Sequence, residues 1–306
     1  TVRAMSSFSN AMIYIIFKDG TDIYDSRSRV LEQLSTLQGT FPEGSTVQLG
    51  PDATGVGWAY EYALKSKTKS LDELRTLQDY YFKYALLGVD GVSEIASIGG
   101  YVKNYEITLN QDKLVQYDLN INEIKEKIVA NNSDNGGRII LENGYEQIIT
   151  ARGYLKSVSD IENITIKNEN NIPLKIKDIA TVNITSKDRR GMVELNGEGE
   201  TVGGIVIVRF GENPYAVIKA VKEKLATLKV PDVEVVEVYD RTSLIDKAID
   251  TLKGTLIEES IIVAIIATLF LFHFRSALII IITLPITVLI SFLLMKAFGI
   301  GSNIMS

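Results

Sequence analysis

The sequence predicts an α+β protein made of ferredoxin-like βαβ sandwiches with one inserted subdomain, followed by two transmembrane α-helices. Strand–helix–strand patterns recur over residues 1–253. A segment of different pattern, residues 101–187, separates two of these units. Near the end, Ala277 to Met295 form 19 consecutive uncharged residues. As a helix they would extend about 28 Å at ~1.5 Å per residue, close to the ~30 Å hydrocarbon core of a bilayer.

The first unit lies near the start of the chain. Residues 11–17 form a strongly β-prone run. Asp22 can cap the helix that follows, from Ile23 to Leu37. Gly39 and Pro42 would end that helix, and residues 47–49 are predicted to return as a strand.

Two further units are predicted to combine into one sandwich. Two strand–helix–strand pieces can form a split βαβ fold even when they are far apart in the chain, so the segment between them is predicted to be an insertion. The first piece comprises strand Trp58–Tyr62, helix Leu71–Leu87 and strand Val92–Ser97; the second comprises strand Gly204–Phe210, helix Pro214–Leu228 and strand Val233–Tyr239.

The insertion is predicted to contain a helix, Ile121–Ala130, and strands around residues 147–152, 165–167 and 179–184. Residues 131–142 superficially fit a calcium-binding loop. That loop requires Asp at its first position and a helix after it. Here the first position is Asn131 and an alternating strand pattern follows, so a hairpin is the better prediction.

A second apolar run, Ser260 to Phe274, contains 15 uncharged residues. It reaches membrane length only if Glu258 and Glu259 lie at the membrane interface. His273, Arg275 and Ser276 provide a short turn between the two runs. The alternative is a buried hairpin in a soluble core, but soluble helices are rarely apolar on every face.

Composition narrows the possible functions. The net charge of −6 argues against a nucleic-acid partner. The absence of cysteine excludes thiolate metal sites, and a single histidine leaves little for a catalytic triad or a multi-histidine zinc centre. We find no nucleophile–base pair and no phosphate-binding glycine loop, so the chain is not expected to be an enzyme. Because it lacks a start methionine and a signal peptide, we expect an internal piece of a longer protein.

Several unusual segments occur in the order of a known family: residues 49–58 (LGPDATGVGW), 74–79 (LRTLQD), 194–200 (ELNGEGE), 239–241 (YDR), 273–278 (HFRSAL) and 303–306 (NIMS). On these segments the chain resembles the heavy-metal efflux subfamily of resistance–nodulation–division (RND) transporters, in particular the copper/silver and cobalt–zinc–cadmium inner-membrane pumps.

The resemblance implies a domain organisation. Residues 1–50 correspond to part of the first porter subdomain, and residues 51–100 with 191–240 to the second. Residues 101–190 correspond to a docking subdomain inserted in the second porter subdomain. Residues 241–306 correspond to transmembrane helices two and three and the start of helix four. The first helix, the acidic proton-relay pair and the second half of such a pump are not in this chain.

The resemblance also implies a function. Such pumps are proton-driven homotrimers, multi-pass proteins of the bacterial inner membrane with a large periplasmic region. They pass metal cations through a periplasmic adaptor to an outer-membrane channel, and they use no cofactor besides the transported ion. Overall similarity favours copper or silver over zinc, cobalt or cadmium. Multidrug efflux, and a membrane-anchored binding or assembly protein without transport, are the alternatives.

Three residues are candidate metal ligands. Met305 corresponds to a methionine at the foot of the cleft in copper/silver pumps, whose thioether suits a soft ion; the alternative is a lipid-facing or packing methionine. Glu61 could line the porter cleft, where zinc-type relatives use carboxylates; the alternative is an exposed strand glutamate. Asp188 precedes Arg189 and Arg190 at a position where copper/silver pumps carry methionine. Asp188 could therefore favour a divalent ion, or it could simply pair with the adjacent arginines.

Other residues are assigned to assembly and structure. The helix at residues 23–37 corresponds to the one that lines the trimer pore, with Asp25, Arg29 and Gln33 on its polar face. Asp52 is expected to fix the Gly-Pro-Asp turn. Pro285 is expected to kink the second span.

Overall fold

The computed structural model describes residues 1–7, 10–37, 39–42, 44–53, 57–142, 144–169, 171–189, 191–271 and 274–298. The chain divides into two compact units. Unit 1 comprises Thr1–Lys69, Leu77–Ile98 and Thr201–Ser306, and unit 2 comprises Ser70–Thr76 and Gly99–Glu200.

The elements, in chain order, are β1 (Val2–Ser7), β2 (Asn10–Ile15), α1 (Ile23–Thr36), β3 (Trp58–Lys65), α2 (Leu71–Leu77), a π-helical segment (Gln78–Phe82), α3 (Lys83–Leu87), β4 (Val92–Gly99), β5 (Lys103–Leu109), α4 (Gln111–Gln116), α5 (Ile121–Ala130), β6 (Asn135–Glu142), β7 (Tyr145–Ala151), α6 (Val158–Glu162), β8 (Thr165–Glu169), β9 (Ile172–Lys175), α7 (Ile176–Ile179), β10 (Ala180–Ser186), β11 (Val202–Val208), α8 (Pro214–Thr227), β12 (Glu234–Asp240), α9 (Thr242–Leu271) and α10 (Phe274–Ala297).

A four-stranded sheet forms the centre of unit 1, with the strand order β12-β3-β11-β4. If the strands β3, β4, β11 and β12 are numbered 1 to 4 in chain order, the order in the sheet is 4-1-3-2. Two βαβ pieces of a ferredoxin-like fold produce this order. The central strand β3 is antiparallel to both β11 and β12, with Val206 and Asp240 each opposite Tyr60. The predicted split βαβ sandwich, with residues of unit 2 inserted between its halves, is therefore confirmed.

The helix between β3 and β4 is not uniform. It was predicted as one helix, and its middle turn, Gln78–Phe82, is π-helical. The side chain of Gln78 is fully buried, and its Oε1 accepts a hydrogen bond of 2.9 Å from the Tyr62 hydroxyl. The wider turn gives this polar side chain a place in the core with its acceptor satisfied. At the N-terminal end, Ser70 N donates to Glu73 Oε2 at 3.0 Å, which is half of a capping box.

The first part of unit 1 holds β1 paired antiparallel with β2, followed by α1. Asp22 caps α1 as predicted, because its Oδ1 accepts from the backbone N–H groups of Tyr24 and Asp25. The strand predicted at residues 47–49 is wrong: these residues form no strand. Residues 47–49 pair with neither strand of the two-stranded β1–β2 sheet, and Val47 is 51% exposed, so burial does not stabilise a strand there.

Unit 2 contains three antiparallel strand pairs, β5 with β10, β6 with β7, and β8 with β9. The predicted helix at residues 121–130 is confirmed as α5, and β6–β7 confirms the predicted hairpin in place of a calcium loop. The core of unit 2 is aliphatic and consists of Leu114, Ile124, Ile161, Ile164, Ile166, Leu174, Ile176, Ile179 and Val182.

The last two described elements are the long helices α9 and α10, in the region where the sequence predicts two spans at residues 254–274 and 277–297. Among the residues that the structure describes, no helix combines the length and the apolarity that crossing a bilayer requires. Of the turn predicted at His273, Arg275 and Ser276, His273 lies outside the described residues, whereas Arg275 and Ser276 already belong to α10, so the prediction is wrong at these two positions. Pro285 lies inside α10, and the kink expected there stays a prediction.

Candidate functional site

The polar stripe predicted for the pore lies on one face of α1. Asp25, Arg29 and Gln33 follow each other at intervals of four residues, and all three are exposed. The guanidinium of Arg29 donates to Glu32 Oε2 at 2.8 Å. Both side chains of this ion pair are largely in water, so it adds little to stability. The stripe is thus a charged, solvated helix face.

Glu61 lies in the middle of β3, opposite Ile205 of β11 and Tyr239 of β12. Its neighbours Tyr60 and Tyr62 approach side chains of the helices, Lys222 and Phe82. Because side chains alternate along a strand, the half-buried Glu61 points to the opposite face of the sheet.

The side chains on either side of Glu61 along its face of β3 are the small residues Ala59 and Ala63. The carboxylate therefore lies between two short side chains on that face of β3, with Lys65 next after Ala63. Its oxygen ligands suit a hard divalent cation. Among the described residues, no group of three or more His, Cys, Asp or Glu side chains is placed to hold a metal ion. Met305, the predicted soft ligand, lies outside the described residues.

Asp188 follows β10 in unit 2 and is exposed. The adjacent guanidinium of Arg189 binds Glu200 through two bonds, of 2.5 and 2.9 Å, and lies 4.5 Å above the ring of Tyr101. The hydrogen bond from Arg189 lowers the pKa of the Glu200 carboxyl. Arg189 thus forms its ion pair with Glu200, while Arg190 lies outside the described residues. Asp188 is exposed, and its role as a metal ligand stays a prediction.

Asp52 does more than fix a turn. Its carboxylate accepts hydrogen bonds from the hydroxyl of Ser93 on β4, from Nε of Arg209 at 3.0 Å, and from the hydroxyl of Tyr24 on α1 at 3.2 Å. Burial raises the pKa of this carboxyl, but the hydrogen bonds and the charge of Arg209 outweigh it and hold the pKa below its ordinary value. Asp52 is therefore ionised and joins three parts of unit 1.

A second charged cluster lies where the sandwich meets α9. Lys222 Nζ of α8 bonds Asp240 Oδ2 at 2.5 Å and Glu237 Oε2 at 2.9 Å, and lies 5.6 Å from the ring centre of Tyr60. The hydrogen bond to Asp240 raises the pKa of Lys222. Burial and the charge of Glu237 raise the pKa of Tyr60 to about 12. Asp240 also accepts from the backbone N–H of Thr242 at 2.8 Å, so one carboxylate both caps α9 and binds α8.

Comparison with known proteins decides the family. The AcrB/AcrD/AcrF family matches residues 1–306, which is the whole chain. The chain belongs to this family.

Among the relatives of this AcrB/AcrD/AcrF chain, "Cation efflux system protein CusA" of Escherichia coli (strain K12) is 48% identical over 312 residues, covering 100% of the chain and 30% of that protein. "Cobalt-zinc-cadmium resistance protein CzcA" of Cupriavidus metallidurans is 35% identical, covering 99% of the chain and 30% of that protein. The chain thus spans about 30% of the length of these relatives.

A solved structure shows the same fold. The "X-ray crystal structure of a heavy metal efflux pump, crystal form II" superposes with a TM-score of 0.88 at 30% identity, over 99% of this chain and 31% of that one. Together with the sequence relatives, this confirms the resemblance to heavy-metal RND transporters that the sequence indicates.

The structure of this AcrB/AcrD/AcrF chain does not bring the predicted site residues together. Asp25, Arg29 and Gln33 share α1, Glu61 lies on β3, Asp188 lies in unit 2 and Pro285 lies in α10. Their roles stay predictions. The two charged clusters were missed because their members are far apart in the chain: 157 positions separate Asp52 from Arg209. The one local signal was the Tyr-Asp-Arg segment, which places Asp240 directly before a helix start.

Proposed function

We propose that this chain is part of a secondary active, proton-driven pump that exports heavy-metal cations. The observation that carries the proposal is the 48% identity, along the whole chain, to a protein named as a cation efflux system component. The transported ion would be the substrate, with no cofactor. The proposed setting is a multi-pass protein of the bacterial inner membrane with a large periplasmic region.

The same proposal includes the assembly. We propose a homotrimer in which α1 surrounds the three-fold axis, supported by its exposed stripe of Asp25, Arg29 and Gln33. A periplasmic adaptor and an outer-membrane channel would complete the export path. In this arrangement residues 1–50 are part of the first porter subdomain, residues 51–100 and 191–240 form the second, and residues 101–190 form the docking subdomain.

Copper and silver are the proposed ions, with zinc, cobalt and cadmium as the second candidates. Overall similarity and Met305 favour the soft ions, since thioether sulfur binds monovalent copper well. The second candidates are favoured by Asp188, an exposed carboxylate where copper/silver pumps carry methionine, and by the 35% identity to a cobalt-zinc-cadmium resistance protein.

The test uses the full-length gene in cells that lack their own metal exporters, together with its adaptor and channel. Growth is compared across graded copper, silver and zinc. Protection against copper or silver is expected. Protection against zinc alone would reverse the order of the ions, and protection against organic toxicants alone would favour multidrug efflux. No protection against any of these would favour a binding or assembly protein without transport.

Asp188→Met in the full-length pump is expected to raise silver tolerance above that of the parent protein. The change replaces a hard oxygen ligand by a soft thioether, and the exposed position leaves room for it. The matched control is Asp112→Met, at another exposed aspartate of unit 2. Equal silver tolerance in the parent, Asp188→Met and Asp112→Met strains would show that position 188 does not help to choose the ion.

We further propose that α9 and α10 are the second and third membrane-spanning helices of the pump. The support is the run of 19 uncharged residues in the sequence and the exposure of large apolar side chains along both helices, such as Ile265, Leu269, Leu289 and Leu293. Water would strongly disfavour such surfaces, whereas lipid covers them.

A cysteine placed at Ser276 is expected to react with an impermeant thiol reagent from the cytoplasmic side. This follows if α9 enters the membrane from the periplasm, so that the start of α10, which contains Ser276, emerges in the cytoplasm. Labelling is compared in intact spheroplasts and in inverted vesicles. Labelling in intact spheroplasts would refute this orientation. The chain itself has no cysteine to interfere, and a cysteine at the exposed Ser35 of the periplasmic part is the control for the opposite side.

A further inference from the structure

The turn Pro51–Asp52 lies between α1 and the sandwich of unit 1, and it forms hydrogen bonds with residues of both. On the sandwich side, Asp52 is held by three groups. Its carbonyl oxygen accepts from the backbone N–H of Phe210 at 2.8 Å. Its carboxylate accepts from Ser93 and from Arg209. The carboxylate side chain is 20% exposed, so the ion pair with Arg209 is shielded from much of the solvent.

Arg209 is itself fixed to the sandwich. Its backbone N–H donates to the carbonyl of Gly91 at 2.8 Å, and its Nη2 donates to the carbonyl of Val92 at 3.3 Å. The guanidinium thus spans from the end of β11 to the start of β4 while binding Asp52. Because a charge-assisted hydrogen bond is stronger than a neutral one, Asp52 moves with the sandwich.

The contacts on the α1 side are of a different kind. The Tyr24 hydroxyl donates to Asp52 Oδ2 at 3.2 Å, and Arg27 Nη1 donates to the carbonyl of Pro51 at 3.2 Å. Tyr24 and Arg27 lie three residues apart and therefore on one face of the helix. Both bonds are long and exposed to water, which can replace them at little cost.

We infer that Asp52 is a positioning residue that docks the N-terminal end of α1 on the sandwich, and that the Tyr24 hydroxyl is the separable half of this contact. The geometry makes the two halves unequal: Asp52 is held on β4 and the end of β11 by an ion pair and hydrogen bonds, while α1 is held to the turn by two hydrogen bonds exposed to water. The orientation of α1 relative to the sandwich is then set at the Pro51–Asp52 turn. A role of this contact in export rests on the proposed function, whereas the docking itself does not.

The test measures the distance between α1 and α8 in the full-length protein. Spin labels are attached to cysteines at the exposed positions Ser35 and Lys224, and labelled protein is diluted with unlabelled protein so that distances within one chain are recorded. The parent protein should give one narrow distance distribution. Tyr24→Phe, which removes a single hydroxyl, should add a second, longer population, and Asp52→Asn should do the same.

The control is Tyr80→Phe, the same change at a tyrosine of unit 1 that is 73% exposed; it should leave the distribution narrow. Because Tyr24 and Asp52 act through one bond, the double variant should have no larger second population than Asp52→Asn alone. A narrow distribution in Tyr24→Phe would overturn the inference. The inference would also be overturned if only Asp52→Asn gave a broad distribution and its melting temperature fell. That result would mean that the sandwich itself had lost support.

Metal tolerance of the same variants separates the two proposals. If the parent pump protects cells, Tyr24→Phe is expected to lower that protection while Tyr80→Phe does not. If the parent pump protects against no metal, the proposed function fails, and the distance distributions still decide whether Asp52 docks α1.

Discussion

Ile179→Ala is expected to destabilise unit 2 by about 2–5 kcal/mol, the usual cost of removing a fully buried aliphatic side chain. Ile179 is 0% exposed and lies in the aliphatic core with Ile176, which is also fully buried. It ends α7 directly before β10, so the helix and the strand hold it from both sides. The surrounding elements are short, but they are joined by the strand pair β5–β10, which limits their collapse into the cavity.

The measurement is amide hydrogen exchange of β5 and β10 in the full-length protein. A loss of about 2–5 kcal/mol corresponds to a fall in protection of about thirtyfold or more. Ile172→Ala is the matched control, because Ile172 lies in the same unit and is 70% exposed; it should change stability by no more than about 0.5 kcal/mol. Equal losses of protection in the two variants would contradict the role of Ile179 in the core.

Helices with local signals were predicted nearly to the residue. Asp22 supplies the N-cap of α1, and Pro214 occupies the first turn of α8. Both signals act within a few residues of the helix they start, so they can be recognised from the local sequence alone. The same holds for the sandwich, because two strand–helix–strand pieces have few ways to combine.

Strand pairing and the charged clusters depend on distant residues and could not be predicted in the same way. Residues 47–49 have the composition of a strand, but whether they form one depends on a free edge elsewhere. The partner of Arg189 was not its neighbour Asp188 but Glu200, 11 positions further on. The sequence suggested a turn role for Asp52 because the turn is local, while its bonds to Ser93 and Arg209 appear only in three dimensions.

Gly204→Ala is expected to destabilise the sandwich of unit 1 by about 1–3 kcal/mol or more, the cost of overpacking a core. Gly204 lies on β11 directly opposite Tyr62. A Cβ at this position would lie 2.5 Å from both Cζ and the hydroxyl oxygen of Tyr62. The ring has little room to move, because it is 1% exposed, its hydroxyl bonds Gln78, and its centre is 6.4 Å from that of Phe82.

Gly88→Ala is the control, since a Cβ there would meet the Ala85 carbonyl oxygen at 3.7 Å, an ordinary contact. Exchange protection of β3 and β11 in the full-length protein should fall for Gly204→Ala and stay unchanged for Gly88→Ala. The cause is checked with Tyr62→Leu, which removes the ring. If the clash with the ring is what destabilises the sandwich, Tyr62→Leu should cost less in the Gly204→Ala background than in the parent protein. Strictly additive losses would show that Gly204 is needed for some other reason than space for Tyr62.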